Sequence, residues 1–191
     1  MVPDASAVVL EYHLEEPVRL DRPALYSQVE RWTVSVLAVP AAGEGRVQIG
    51  YANLLIFNLA PGADIGDLTD PVSGTWLSGH DGVARPERHV LLLDRLWLSP
   101  DWRGQGLGPV VAAAAIERLG RGCDLAACYP APFEDLDPQP DVRERAVEVL
   151  GRIWSKVGFT EWNDGVWMID LSTDDVHAAL VALIDARTVA S

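Results

Sequence analysis

One segment, residues 97–108, carries residue types suited to holding a phosphate group. It reads Trp-Leu-Ser-Pro-Asp-Trp-Arg-Gly-Gln-Gly-Leu-Gly, in which Arg103, Gly106 and Gly108 satisfy the pattern R/Q-x-x-G-x-G/A. Glycines let a backbone approach a phosphate closely, and N–H groups at the start of a helix point towards an anion. The helix dipole adds a favourable field at the same place. The segment is therefore predicted to be a phosphate-binding turn.

The short pattern also arises by chance, so the predicted secondary structure around it has to support a phosphate-binding turn. The preceding residues 89–98 (HVLLLDRLWL) are apolar enough for a central strand covered on both faces, and Pro100 ends that strand. A helix is predicted from Pro109 to Leu119, because the run is alanine-rich and Gly120 suits its end. Asp124 to Tyr129 is predicted to be the next strand. This strand, turn, helix and strand unit is the setting that a phosphate-binding turn requires.

A second segment, Ile153 to Phe159 (Ile-Trp-Ser-Lys-Val-Gly-Phe), supports the same interpretation. With both segments, the chain resembles the GNAT superfamily of N-acetyltransferases over roughly residues 90–171. The resemblance implies an α/β (mixed α+β) fold of the GNAT acyl-CoA N-acyltransferase type. Its central sheet is mixed and mostly antiparallel, with splayed fourth and fifth strands, and is flanked by helices. A dinucleotide-binding alternative is disfavoured, because Pro109 interrupts the G-x-G-x-x-G pattern.

The resemblance also implies how acetyl-CoA, the acyl-donor cosubstrate, would bind. The pantetheine arm would pair with the backbone of the fourth strand, and the acyl carbonyl would accept a backbone N–H near Leu98. The pyrophosphate would lie on the N–H groups of the turn, with the Arg103 side chain as a charge partner. The predicted acyl-CoA contacts are Leu96, Trp97, Leu98, Arg103, Gly104, Gln105, Gly106, Leu107 and Gly108.

The general acid is the point where the chain departs from the family. Many members carry a Tyr in the late helix, four residues before the Gly of the Gly-Phe step, whereas this chain has Trp154 there. An indole N–H donates a hydrogen bond but is not a usable proton source near neutral pH. Tyr129, at the end of the predicted strand, is a possible substitute. The alternative is an ordinary aromatic residue at a strand end.

A general base is sought on the strand before the turn. Strict alternation places Val90, Leu92, Asp94, Leu96 and Leu98 on one face, and Leu91, Leu93, Arg95 and Trp97 on the other. Asp94 is a carboxylate in an apolar strand, and burial would favour the neutral form and so make it a useful proton acceptor. The alternative is a structural Asp fixed by an Arg or by backbone donors. His89 and Glu87 are weaker candidates, and Cys128 is expected to be a small buried hydrophobe.

The net charge limits the classes of partner that the protein is expected to bind. The formal charge of −13 predicts repulsion from phosphate backbones and anionic lipid, so neither nucleic acid nor a membrane is an expected partner. Acidic residues could attract a cationic acceptor, or could simply keep the protein soluble. Two acidic runs are present, namely Asp64, Asp67 and Asp70, and Glu134, Asp135, Asp137 and Asp141. No metal site is predicted, because the four His and two Cys lack ligand spacing.

The rest of the chain predicts a single domain over residues 1–191. Its expected elements are strands at Ala7–His13, Arg31–Val39 and Val47–Asn58, a turn at Gly43–Gly45, a short helix near Val72–Leu77, a helix from Asp141 to Val157, a hairpin around Asn163–Gly165 and a last helix over Asp174–Ala186. The chain lacks an apolar span and the pattern of a signal peptide, which favours the cytoplasm. A homodimer is compatible with the sequence.

The resemblance thus implies an N-acetyltransferase that moves an acetyl group from acetyl-CoA to a primary amine by direct attack in a ternary complex. The amine belongs to a small molecule or to a protein. The alternative is a non-catalytic acyl-CoA-binding or partner-binding module that kept the turn and lost the acid, for which Trp154 is the reason.

Overall fold

The computed structural model describes residues 5–15, 29–40, 45–59, 88–130, 140–163 and 165–190. Its seven strands form one sheet in the order β1-β2-β3-β4-β5-β7-β6. Neighbouring strands are antiparallel except for the parallel pair β4 and β5. The strands are β1 (Ala5–Glu15), β2 (Val29–Pro40), β3 (Val47–Leu59), β4 (Arg88–Leu98), β5 (Leu125–Cys128), β6 (Thr160–Asn163) and β7 (Val166–Asp170).

Within the described residues, three α-helices flank this sheet, namely α1 (Leu107–Leu119), α2 (Pro140–Ser155) and α3 (Asp175–Ala190). Helix α1 makes the crossover that a parallel strand pair needs, from the end of β4 to the start of β5. Ala112, Ala113 and Ala115 of α1 are completely buried, and such small side chains let a helix lie close to a sheet. No helix within the described residues is both long and apolar enough to cross a membrane.

The hydrophobic core occupies both faces of the sheet. Leu91 and Leu93 of β4 join the large cluster that includes Ile116 of α1 and Phe159. Leu92, between them, belongs to a smaller cluster on the opposite face with Phe57. Burial on both faces is the environment that the apolar run of β4 predicted.

The predicted fold class is confirmed by this mixed, mostly antiparallel sheet and its flanking helices. The predicted strands and helices are present wherever the structure describes the chain, with shifted ends. Helix α1 begins two residues early, at Leu107, and α3 extends four residues further, to Ala190. The predicted helix near residues 72–77, most of the turn at residues 43–45, and the two acidic runs apart from the backbone of Asp141 lie outside the described residues.

The predicted alternation of faces along β4 is wrong after Leu93. Asn53 of β3 pairs with Arg95 whereas Leu54 pairs with Leu93, so Asp94 has no partner in β3 and forms a β-bulge. The extra residue reverses the alternation, so the side chains after Asp94 lie on the face opposite to the one predicted. Leu96 and Leu98 therefore pack on the same side as Leu91 and Leu93, towards α1.

Candidate functional site: a cleft between two separating strands

Strands β4 and β5 separate halfway along β4. Their parallel pairing runs from Val90 and Leu125 to Leu93 and Cys128, where β5 ends. Strand β4 continues for another five residues, to Leu98, and its paired neighbour over that length is β3. The predicted splaying of the fourth and fifth strands is confirmed.

This separation opens a cavity of about 460 Å³. Helix α2 forms the opposite wall. The lining residues are Leu93, Asp94, Arg95, Leu96, Trp97, Leu98, Arg103, Cys128, Tyr129, Arg145, Ala146, Val149, Leu150 and Trp154. Most of them are apolar, and the charged ones are three arginines and one aspartate, so the described wall is cationic in a chain of net charge −13. An extended, largely apolar ligand with anionic groups fits such a cleft.

The predicted phosphate-binding turn lies at the β4 end of this cleft. A short 3-10 helix, Pro100–Trp102, leads into it, and Gly106 is the residue that caps the start of α1. Gly104 and Gly106 have φ of 73° and 71°, a left-handed conformation that glycine adopts without strain. A Cβ built at either position would meet no atom within 4 Å. The space next to both glycines is therefore open, as the approach of a phosphate requires.

Hydrogen bonds fix the turn to the end of β4. The Arg103 Nε–H donates to the Leu98 carbonyl at 2.7 Å, and the Gln105 side-chain amide donates to the Asp101 carbonyl at 2.8 Å. The Arg103 guanidinium carbon also lies 5.7 Å from the centre of the Trp97 ring. Arg103 thus links the turn to the strand, and its predicted contact with a pyrophosphate stays a prediction.

Donors for an anion come from the first turn of α1. The first N–H groups of a helix have no partner within the helix, and Leu107 and Gly108 provide two of them here. Pro109 has no N–H, so the third position provides none. A further cation lies beside this site, and the sequence patterns do not indicate it. Arg187 of α3 donates from Nη1 to the Gln105 carbonyl, so its guanidinium lies next to the turn.

All three residues predicted to take part in catalysis line the cavity, at different depths. Leu98 is buried and adjoins the turn, whereas Asp94 and Tyr129 lie where the strands separate. Asp94 is exposed, so the predicted burial of its carboxylate is wrong, because the bulge removes it from the core. Within the described residues, neither a hydrogen bond nor an ion pair involves the Asp94 side chain. The alternative of an Asp fixed by an Arg therefore has no support there.

Tyr129 is held by its contact with the hairpin of β6 and β7. A Cβ built at Gly165 would lie 3.1 Å from Cε2 of the Tyr129 ring, so the ring packs directly on that glycine. Tyr129 is nevertheless 41% exposed, which leaves it accessible to solvent and ligand.

Trp154 occupies the inner wall and supplies no acidic proton. Its indole is buried and makes an edge-to-face contact with Phe159, with ring centres 6.2 Å apart. Cys128 beside the cavity is also buried, and burial raises the pKa of its thiol, so it remains neutral at physiological pH. His89 lies at the opposite end of β4, where its backbone N–H donates to Asp124 Oδ2, and is not part of the described cavity wall.

The α2 wall was missed by sequence reasoning although a signal for it exists. Ala146, Leu150 and Trp154 are spaced four residues apart and so share one helix face, and Arg145 lies beside the first of them. Within the described residues, no group of three His, Cys, Asp or Glu side chains could hold a metal ion.

Comparison with known proteins gives a likeness of fold. No family model matches the chain. No curated protein matches it either. Among solved structures, AtaT complexed with acetyl-methionyl-tRNAfMet is 12% identical, covers 90% of this chain and 99% of its own, and has a TM-score of 0.45. AtaTR bound with AcCoA is 13% identical over 88% of this chain and 96% of its own, with a TM-score of 0.44. The KacTA–DNA complex is 12% identical over 93% of this chain and 99% of its own, also with a TM-score of 0.44.

These similarities are distant, with at most 13% identity among the three. The mostly antiparallel sheet, the parallel pair that separates after Leu93, and a glycine turn that opens α1 are the arrangement that the resemblance to the GNAT superfamily implied. The fold is therefore of the GNAT type.

Proposed function

We propose that this protein is an acyl-CoA-dependent N-acyltransferase that transfers an acetyl group from acetyl-CoA to a primary amine. The observation that carries the proposal is the cleft between β4 and β5, which runs from Leu98 and Arg103, where the glycine turn begins, to Asp94 and Tyr129. A pyrophosphate on the turn and a pantetheine arm along residues 96–98 would place the thioester inside this cleft. The bound donor then needs only an amine to react.

The proposed reaction needs no reagent besides acetyl-CoA and the amine. The nitrogen lone pair of the neutral amine attacks the thioester carbon while the carbonyl oxygen accepts a backbone N–H, for which Leu98 is our candidate. Collapse of the intermediate breaks the C–S bond and releases CoA as a thiolate. Asp94 accepts the proton that the incoming ammonium loses before the attack, directly or through water. The second proton, which the nitrogen loses after the attack, passes through Tyr129 or water to the thiolate.

Arg145 extends the predicted acyl-CoA contacts to the α2 side of the cleft. Its side chain is exposed and lines the cavity opposite the turn that carries Arg103. A cosubstrate with several phosphates gains from cations on both walls, particularly in a protein whose overall charge repels anions. We therefore include Arg145 among the residues that hold acyl-CoA.

Calorimetry and a turnover assay together test this function. We expect the protein to bind CoA, and acetyl-CoA to release free thiol in the presence of a suitable amine drawn from polyamines, amino acids, aminoglycosides and peptides. Failure of wild-type protein to bind CoA would overturn the proposal. Binding without turnover across that panel would support the second candidate, a non-catalytic acyl-CoA-binding module, which the buried Trp154 favours.

The acceptor is proposed to be an amine that is not attached to nucleic acid. Two of the similar structures contain tRNA or DNA, but this chain has a net charge of −13, which opposes binding to a phosphate backbone. We expect no salt-sensitive complex with tRNA or duplex DNA in a gel-shift titration at physiological salt. A submicromolar complex that weakens with added salt would instead direct the search to a nucleic-acid-linked amine.

A further inference from the structure

Helix α3 packs along α1, with a polar contact to α1 near its start and another to the turn before α1 near its end. Near its start, Val176 is buried in the main core cluster, and the His177 Nδ1 lies 2.7 Å from Glu117 Oε1. Glu117 belongs to the last turns of α1, so the start of α3 lies near the end of α1. The two helices are therefore antiparallel neighbours, which brings the end of α3 to the start of α1.

At that second end, Arg187 contacts the phosphate-binding turn itself. Its guanidinium donates to the carbonyl oxygen of Gln105, a partly buried bond between residues 82 positions apart. Leu183, one turn earlier on α3, packs against the main core cluster. The part of α3 that reaches the turn is therefore fixed by packing against the core.

The bond to Gln105 has a direct consequence for the N–H of Gly106, because both groups belong to one peptide unit. A trans peptide is planar, and its C=O and N–H point in opposite directions. When Arg187 holds the carbonyl, it turns the Gly106 N–H away from α3. Gly106 is in a left-handed conformation with φ of 71°, and the space next to it is open. Without the bond, a glycine peptide could rotate among several conformations of similar energy.

We propose that Arg187 is a positioning residue for acyl-CoA, which holds the Gln105–Gly106 peptide so that its N–H and the first N–H groups of α1 converge on the pyrophosphate. The inference rests on the proposed function and adds to it a dependence on the last helix of the chain. Its guanidinium also brings a positive charge next to an anion site in an acidic protein. Acyl-CoA affinity is thereby coupled to the docking of α3.

Calorimetry on three variants tests this positioning role. Arg187→Met keeps the apolar stem and removes the donors, and we expect CoA to bind about tenfold more weakly, the effect of losing one hydrogen bond from a charged group. Arg187→Lys retains the charge and a donor, so it should recover most of the lost affinity. His177→Leu, the matched control, removes the polar contact of α3 with Glu117 and should leave CoA binding unchanged.

A fragment of the cosubstrate separates positioning from a general structural effect. Acetyl-pantetheine lacks the pyrophosphate, so Arg187→Met should bind it as wild type does. The proposal is overturned if Arg187→Met binds CoA within twofold of wild type, or if His177→Leu causes the same loss. Loss of binding to both CoA and acetyl-pantetheine would show that the whole cleft is disturbed, and would also overturn it. Wild-type protein that fails to bind CoA would remove the proposed function itself.

Hydrogen exchange provides a second measurement that a merely structural arginine would not affect. Coupling between two sites is reciprocal, so if Arg187 favours CoA binding, CoA must stabilise the docked end of α3. We expect CoA to slow amide exchange in residues 183–190 of wild type and to have no such effect in Arg187→Met. Equal protection in both proteins would contradict the coupling.

Discussion

The two ends of the cleft are built on different principles. At the turn, the proposed contacts come from the backbone, and the residues that matter are glycines with positive φ at positions 104 and 106. Where β4 and β5 separate, the side chains of Asp94, Tyr129 and Trp154 define the site, and their placement depends on a bulge and on packing between distant elements. A site made from backbone is specified by local residue types, whereas a site made from side chains is specified by tertiary structure.

The largest expected effect lies at the side-chain end, on turnover alone. If Asp94 is the general base, Asp94→Asn should lower kcat by roughly 10²- to 10⁴-fold. Because Asp94 is exposed and has no ion-pair or hydrogen-bond partner within the described residues, CoA affinity and Tm should stay at wild-type values. Steady-state rates at saturating amine, calorimetry and thermal melting measure the three quantities.

Asp185→Asn is the matched control, because Asp185 is an exposed carboxylate on α3 outside the cavity wall. It should leave all three quantities unchanged. Wild-type turnover by Asp94→Asn over about pH 6 to 9 would exclude Asp94 as the base and leave a water chain or a residue outside the described part of the chain.

The next largest effect should appear at the backbone end, on binding. Gly106→Val forces a β-branched residue into φ of 71° and adds a side chain to the open space beside the turn. We expect CoA affinity to fall on the order of 100-fold, from blocked approach together with a displaced N–H. Calorimetry on folded protein measures the change.

Gly122→Val separates strain from loss of the site. Gly122 has φ of 91° and equally open surroundings, but it lies beyond the other end of α1. The Gly122→Val variant should lose a similar free energy of unfolding, while its CoA affinity stays unchanged. If the two variants bind CoA equally well, the glycine turn is not the phosphate site.

What the sequence predicts follows this division with one exception, Arg187, which lies at the turn. The turn, the central strand before it and the helix after it follow from glycine, proline and apolar patterning, which act within a few residues. The bulge at Asp94 is a property of pairing with β3, so strict alternation put Leu96 and Leu98 on the wrong face. Arg187 reaches the turn only because α3 packs on α1, and nothing in its neighbourhood along the chain indicates that contact.

The smallest effects should come from the two cysteines, which the proposed chemistry does not use. Burial, with the charges of Asp124 and Glu30, raises the pKa of Cys123 to about 11, and burial raises that of Cys128 further. Both thiols are therefore neutral near pH 8, so alkylation by iodoacetamide should be slow until the protein is denatured. Cys128→Ala should change kcat by less than about twofold. A fast-reacting native thiol would contradict this assignment.

The raised thiol pKa values also set a direction for stability at high pH. The unfolded chain ionises at its ordinary cysteine pKa, about 8.5, while the folded chain keeps its thiols protonated. Their contribution to the free energy of unfolding is complete below that pH and is lost as the pH rises through the folded value of Cys123, about 11. Denaturant titrations should therefore show a Cys123→Ala variant losing less stability than wild type between roughly pH 9 and 11.

Strand β4 contains one residue more than its partner β3 requires. Because Asn53 and Leu54 pair with Arg95 and Leu93, removing position 94 would leave a regular strand whose leucines still face α1. A chain with Asp94 deleted should therefore fold with its core intact, while losing the local bend and twist that a bulge adds beside the point where β5 ends. Position 94 therefore serves the wall of the cleft, and the packing of the core does not require it.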